Sequence, residues 1–426
     1  MSTEVLQFAG ELVLDSVIIY SADNSKSLDI SLLFSEINIY EDIFSPAMNG
    51  SILIAEGYNL ISTFPIIGQE IIEIGYHTPT FDSKFFKRFA VTTIEALTIP
   101  NANVKNYLLK FVSVEAMIDM TLKISKSYDE TPSESAKQIF KKYLPNTELV
   151  VSKSTNNIKF IAPLTSPFTT LSMLASKAID ISDYGAPNFL FFENNQKFNF
   201  VSLSDLYSQS PIMKYKWSYE PMRAVNNSGE STRDIQAEYE NVKQIPEFER
   251  LFNTIEKTLH GALGSTVNEV DLIRKTILKR TYGYVTDFSR TKHLNTYPTN
   301  DLNLLTNNTS LVNTVITHPY AHDNKSQDKD AFIVSKRPNL LSETEFIKIN
   351  LVVRGRSDIK VGDVVYFELG DFRSTDQKDL TADGKDPLYT GNYLVGAIMH
   401  RITQREHEMQ LQIFNDSFSK QINYKS

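Results

Sequence analysis

The sequence predicts a β-dominated α+β chain in which one barrel-like unit occurs twice. Three observations lead there. Apolar and polar residues alternate with period two in short segments near both ends of the chain. A helix-bearing interval with its own capping signals lies between them. The stretch from Ile37 to Ile74 is echoed in element order, at low identity, by the last third of the sequence.

In that stretch Ile37 and Ile39 alternate with Glu36 and Asn38, the pattern of a half-buried strand. Glu41-Asp42-Ile43-Phe44-Ser45-Pro46 reads as an acidic loop, because Pro46 lacks a donor and Asp42 and Ser45 favour turns. Ser51 to Ala55 is β-rich again. Asn59 is positioned to cap a helical turn from Leu60 to Phe64, and Pro65 stops it. Gly68 then turns the chain into the strand Glu70 to Ile74. With Glu11 to Tyr20 before it, and Phe86 to Glu95 and Asn106 to Ser113 after it, this gives the strand spacing of a sandwich or barrel.

The texture then changes. Thr131-Pro132-Ser133-Glu134 is a capping box with Pro at the first helical position, followed by Ala136, Ile139, Phe140 and Tyr143 on one face. Ser166-Pro167 opens a second helix with Phe168, Leu171, Leu174 and Ala175 on its stripe. Phe189 to Val201 reads as a tight hairpin turning at Asn194-Asn195. Tyr215 to Tyr239 is weakly β, and Phe248, Leu251, Phe252 and Ile255 are amphipathic. Gly261 to Ser265 reads as a flexible turn, with a strand at Thr276 to Tyr284. Residues 291–340 are polar and read as a connector.

The last third returns to strands at Phe346 to Leu351, Ile359 to Phe367, Tyr389 to Met399 and His407 to Ile413. Matching Ile67-Gly68-Gln69-Glu70-Ile71 to Val361-Gly362-Asp363-Val364-Val365 makes Gly68, Gly362 and Asp363 candidate barrel turns, with Gly391 a fourth. The expected divisions are 1–117, a first barrel; 118–212, an inserted α+β domain; 213–245, the start of a second barrel; 246–340, an α+β insertion and polar connector; 341–420, the second barrel; and 421–426, a tail.

Composition narrows the function classes. Hydrophobic residues make up 41% of the 426 and charged residues 22%, enough for folded cores. A net charge of -8 argues against a dedicated nucleic-acid binder, which carries a basic face. The absence of cysteine rules out thiolate catalysis, disulfides and Cys-ligated zinc. No basic segment followed by an apolar core opens the sequence, and no run of about 18 apolar residues occurs, so neither a secretory leader nor membrane insertion is expected. A bias to 26 Phe and 20 Tyr against one Trp suits β packing.

Chemistry-bearing motifs are weak. Glu41-Asp42, Asp363 and Glu368 are the acids available for glycosidase work, which needs two carboxylates across one bond; turn or solvated roles account for them more simply. His318 and His322 have i, i+4 spacing but lack the metalloprotease Glu and flank Pro319 in a polar segment. His400 and His407 fall in strand pattern and read as satisfied barrel histidines. Gly261 to Gly264 lacks the Lys-Ser or Lys-Thr of a phosphate loop, and no nucleophile elbow is present. No catalytic residue, metal site or cofactor is expected.

Four segments, in order, resemble one family. Asp42-Ile43-Phe44-Ser45-Pro46 with Gly50-Ser51-Ile52 and Pro65-Ile66-Ile67-Gly68-Gln69-Glu70 resembles the N-terminal barrel of the baseplate hub proteins of contractile-tailed bacteriophages. Phe189 to Glu193 with Phe198-Asn199-Phe200 is similar to the aromatic hairpin of that family's inserted domain. Gly261 to Ser265 with Asp271 resembles a third segment, and Gly391 to Val395 with His400 the second barrel. The resemblance implies two similar tube-like antiparallel β-barrels with an inserted α+β domain. It implies a homotrimer whose six barrels form a ring between a hexameric tail tube protein and a trimeric central spike protein, with or without a lysozyme domain on the spike. Other baseplate proteins would be further partners, DNA only passing cargo, and the location the tail of a virion assembled in the host cytoplasm. On this reading Gly50 lies inside the second strand, and Glu41, Asp42, Ile43, Phe44 and Pro46 become candidate ring or tube contacts. The spike base of a type VI secretion system or other contractile injection system is the nearest alternative; a tail-associated peptidoglycan hydrolase and a carbohydrate-binding module are alternatives of other classes.

Overall fold

The computed structural model describes residues 6–57, 60–101, 104–181, 185–195, 197–217, 234–251, 254–299, 309–317, 330–370 and 385–421. The N-terminal unit holds β1 (Val13–Tyr20), β2 (Ser27–Asp29), β3 (Phe34–Asp42), β4 (Asn49–Glu56), the one-turn helix α1 (Leu60–Thr63), β5 (Ile71–His77), β6 (Lys84–Asn101) and β7 (Val104–Ser113). Alternation decides what they bury: Ile37 and Ile39 of β3, Ile52 and Ile54 of β4, Ile72 and Ile74 of β5 and Leu109 of β7 all face one core. Asn59 lies outside the described residues; the α1 backbone is received by Glu56, whose Oε1 accepts from Leu60 N at 3.0 Å. Asn49-Gly50 makes no hairpin turn. Gly50 sits inside β4, and a Cβ there would meet the Phe111 ring at 2.5 Å.

The inserted α+β part follows as α2 (Val114–Thr121), β8 (Ser127–Glu130), α3 (Pro132–Tyr143), β9 (Glu148–Val151), β10 (Ile158–Ile161), α4 (Pro167–Lys177), β11 (Phe189–Asn194), β12 (Lys197–Ser202) and α5 (Leu203–Tyr207). Both expected caps form: Thr131 accepts from Glu134 N, and Ser166 from Thr169 N, with Pro at the start of each helix. The hairpin β11–β12 pairs in register from Phe189↔Ser202 to Asn194↔Lys197. Its Phe189, Phe191, Phe198 and Phe200 fill a core with Phe140 and Phe168 from the two helices.

The chain then supplies β13 (Met213–Trp217), α6 (Ile235–Glu240) and β14 (Gln244–Leu251), and makes a second excursion of α7 (Thr254–Leu259), β15 (Gly264–Asp271), β16 (Thr276–Gly283), α8 (Tyr284–Phe288), β17 (Tyr297–Pro298), β18 (Leu311–Thr317) and α9 (Asp330–Thr344). Four expectations need correcting here. The end of the weakly β stretch is the helix α6. Phe248 and Leu251 lie in a strand, because β19 offers β14 a ladder that outweighs their helical spacing. The expected flexible turn runs straight into β15, and part of the polar connector is β18, which pairs with β15 in parallel. Thr and Asn on these strands disguise them. His318 and His322 lie outside the described residues.

The final strands are β19 (Ile347–Arg354), β20 (Val364–Leu369), β21 (Gly391–Ile402), β22 (His407–Asn415) and β23 (Ser417–Phe418). The two barrels share a single, largely antiparallel sheet with the order β14-β19-β22-β21-β3-β4-β7-β6-β5-β1-β2, while β20 joins β21 to β13. The duplication is visible in that order. The N-terminal unit reads β3-β4-β7-β6-β5-β1 and the C-terminal unit β14-β19-β22-β21-β20-β13. The outermost pairs differ in sense, β1 with β5 being antiparallel and β13 with β20 parallel. A bulge falls at the same place in both long strands, between Val91 and Thr93 and between Val395 and Ala397.

Candidate assembly site

The two units meet where β3 pairs with β21, from Ala397↔Asp42 to Ile402↔Ile37. Glu41 occupies an inward position of β3 in phase with Ile37 and Ile39, so strand geometry carries its carboxylate inside, to 2% exposure. There Oε2 accepts from Val361 N at 3.2 Å and Oε1 from Asn195 N at 3.4 Å. One side chain thus ties the first barrel to the aromatic hairpin and to the loop before β20. Its Oε1 also lies 3.6 Å from His400 Nε2.

His400 and His407 face the same interior, with Nδ1 of the first 3.0 Å from Nε2 of the second. Burial and the neighbouring His400 push His407 well below the ordinary histidine pKa, so it stays neutral. The rings need space: a Cβ on Gly355 would sit 2.1 Å from His407 Cγ. These histidines are only half satisfied, since among the described residues no group hydrogen-bonds His400 Nε2 or His407 Nδ1. The expectation of satisfied barrel histidines is corrected to that extent.

Three further polar ties join the parts. Lys87 of β6 pairs with the buried Glu193 of β11, whose other oxygen accepts from Met48 N at 2.8 Å. Burial raises the Glu193 pKa, and Lys87 offsets part of that rise. Arg337 of α9 donates to the carbonyls of Ala175, Pro187 and Phe189. His293 Nδ1 contacts Asp416 at 2.7 Å, beside a buried Glu343 that accepts from the Tyr282 hydroxyl. Burial pushes the Glu343 carboxyl up to about 8.

Of the candidate ring contacts, Asp42, Phe44 and Pro46 reach the surface, Phe44 at 45% exposure with its ring 6.2 Å from that of Phe414. Glu41 and Ile43 do not. They point inward and are consumed by contacts within the chain, which corrects the expectation that they are ring contacts. Glu41 and Asp42 belong to β3 itself, so the loop starts later than its acidic residues suggest. Gly68 and Gly362 are both turns, with φ of 85° and 89°, a region open chiefly to glycine. Each is fixed by a carboxylate immediately before the next strand. Glu70 accepts from the backbone N of Ile67, Gly68 and Gln69, and Asp363 from that of Lys360. Pairing therefore sets Asp363 in the place of Glu70, one residue from the alignment read off the sequence. Burial raises Asp363 to about 6. Gly391 is no turn: it is the extended first residue of β21, opposite Phe367.

Two edges remain. On β21 the first residues pair with β20 and the rest of that same edge takes β3. On β6 the equivalent first part pairs with β5 through Ala90, and among the described residues no strand occupies the edge beyond. There Thr92, Thr93, Glu95 and residues 96–99 are exposed. The second edge is β14, which ends the sheet.

Among the described residues no group of three or more His, Cys, Asp or Glu is placed to hold a metal, and no helix is long and apolar enough to cross a membrane. Glu368, one of the acids considered for catalysis, is held by Lys214 and Lys385 at 2.8 and 2.9 Å.

No protein-family model matches the sequence, and no curated protein matches it. Solved structures do. A tail protein from Neisseria meningitidis MC58 aligns with a TM-score of 0.53 and 13% identity over 94% of this chain and 96% of its own. The 43 kDa tail protein of prophage MuSo2 from Shewanella oneidensis aligns with a TM-score of 0.54 and 8% identity, over 94% and 99%. This chain has the phage tail-protein fold. Both matches span nearly the whole of each chain, so the tail-protein fold here includes both barrels and the insertions between them. At such identities the likeness is one of fold.

Proposed function

We propose that the chain is the structural hub of a contractile-tail baseplate, a homotrimer whose six barrels join a hexameric tube to a trimeric spike and surround the path of the DNA. That its structural relatives are tail components supports a structural role rather than an enzymatic one. The observation that carries the trimer is the duplicated pairing order with one unmatched pair of edges. Within the chain β3 fills the edge of β21; its counterpart β14 and the counterpart edge on β6 have no such partner among the described residues. Pairing β14 of one copy with β6 of the next repeats the internal junction, and three copies close a ring of six units. Strand edges otherwise left open are thereby covered.

The register follows from the shared bulge. Met399 pairs with Tyr40, and the equivalent positions are Glu95 and Arg250. Because the chain has no cysteine, the double variant E95C/R250C reports directly. Directly opposed antiparallel residues lie within disulfide reach, so mild oxidation is expected to give covalent dimers and trimers that neither single variant gives. Light scattering is expected to find three copies of the 48.4 kDa chain, about 145 kDa. A single-chain mass at tens of micromolar, with and without the spike protein, would overturn the hub reading.

A further inference from the structure

The seam between the barrels holds two buried histidines whose protons the hub reading leaves unused. His400 lies on β21 opposite Ile39 of β3, and His407 opens β22 opposite Ile402. His407 is also tied to two further segments. Its N donates to the Gly10 carbonyl at 2.9 Å, and its own carbonyl accepts from Gly355 N at 2.8 Å.

The neighbours decide where the pair keeps its protons. His400 Nδ1 and His407 Nε2 are 3.0 Å apart, so one hydrogen lies between them. Glu41, which accepts from two backbone N–H groups, has its Oε1 3.6 Å from His400 Nε2. A lone pair on His400 Nε2 would oppose that oxygen, whereas a hydrogen suits it. His400 therefore carries its hydrogen on Nε2, and its Nδ1 accepts from His407 Nε2. The base left over is His407 Nδ1, which has no hydrogen-bond partner among the described residues. Around that ring stand Tyr76 of β5, edge-on at 5.3 Å, and the Gly355 backbone, where a Cβ would lie 2.4 Å from Nδ1. Charged groups on the adjoining segments are engaged elsewhere. Arg354 donates to the Ala9 carbonyl, Glu11 accepts from Gln7 N, and Asp363 from Lys360 N. Arg401 and Glu408 meet Glu36 and Lys243. A proton arriving at Nδ1 thus makes a buried imidazolium with no acceptor for it.

We infer that the His400–His407 pair is an acid-released latch on the joint between the two barrels: below about pH 6 the chain populates a form in which β22 parts from Gly355 and Gly10 and β21 loosens from β3. The latch belongs to one chain and does not require the ring. Its sign and window follow from the groups involved. Burial and His400 hold His407 well below the ordinary histidine value of 6.5, to which the opened form returns. The advantage of the closed form is therefore complete above pH 6.5 and is lost as pH falls, by about tenfold in the closed-to-open ratio per pH unit. Other interior groups act in the opposite sense. Glu193, Asp363, His293 and Glu343 are raised in the fold and so favour it in acid. Glu36 and Glu368 are lowered, and their contributions go only below about pH 4.5.

The test is hydrogen exchange of the whole chain, read by mass spectrometry at about pH 7.5 and about pH 5 and corrected for the intrinsic pH dependence of exchange. Peptides from residues 34–42 and 398–411 are expected to lose protection about thirtyfold at the lower pH, while the β11–β12 hairpin keeps its own. His407→Phe, which fills the space beside Tyr76 without a titrating nitrogen, is expected to abolish that difference; His407→Gln takes its place if the Phe variant does not fold. Equal protection of the wild-type seam at both pH values overturns the latch. So does a loss of the same size in every peptide, which would be acid unfolding of the whole chain. A thirtyfold response that survives in either variant also overturns it, and assigns the effect to a carboxylate.

Discussion

Single side chains at the module boundaries hold the parts together, and their cost is in desolvation. Glu41 receives two backbone N–H groups, so Glu41→Ala leaves Val361 N and Asn195 N unpaired and opens a void. It is expected to lower stability by about 2–4 kcal/mol in urea titrations. Glu343 gives a pH signature. Its folded pKa, about 8, stands above the ordinary carboxylate value near 4.5, so the fold holds a proton that the unfolded chain has released. Stability from this group is complete below about pH 4.5, falls as pH rises, and is gone above about pH 8. His293, raised by Asp416 against the opposing pull of burial, loses its contribution in the same direction. Between pH 5 and pH 8, Glu343→Gln is therefore expected to lose on the order of 3 kcal/mol less than wild type. Equal slopes for the two proteins would mean that Glu343 is ionised in the fold.

Among the elements, turns and bulges set the register that duplication requires. Gly362 at φ 89° opens the turn before β20, so Gly362→Ala should cost about 1–2 kcal/mol, and Gly68→Ala a similar amount in the first barrel. Gly396, the bulge residue of β21, is a sharper case. A Cβ there would meet the Phe414 ring at 1.9 Å, and backbone fixed on both sides cannot retreat. Gly396→Ala should destabilise by about 3 kcal/mol and lower the thermal midpoint accordingly. The aromatic hairpin was legible from sequence because β11 and β12 are local and in register. The pair β15–β18 was not: its parallel partners are separated by more than forty residues, and Thr, Asn and Ser mask the strand pattern.

For the whole molecule, the proposed ring has a salt signature. If β14 adds to β6 of a neighbour, most of the association energy comes from a seam of backbone hydrogen bonds and covered apolar surface. Raising salt from 50 to 500 mM is then expected to change the trimer dissociation constant by less than tenfold, as read by sedimentation. A loss of a hundredfold or more would show that charge pairs hold the copies together instead. The parts within one chain are also clamped to each other by Arg337 and by Lys87–Glu193, so the insertions should unfold with the barrels in one transition.

By itself the sequence determined the β-dominated class, the inserted α+β part, the two capped helices and the glycine turns, because each is written in residues close together along the chain. It also carried the duplication, through the order of its elements. Tertiary structure alone decided that Glu41 and Ile43 face inward rather than toward a neighbour, that Gly391 is strand, and that Asp363 stands where Glu70 does. Those outcomes depend on which strand lies alongside, and a one-residue shift in pairing reverses every side chain while leaving the sequence pattern intact.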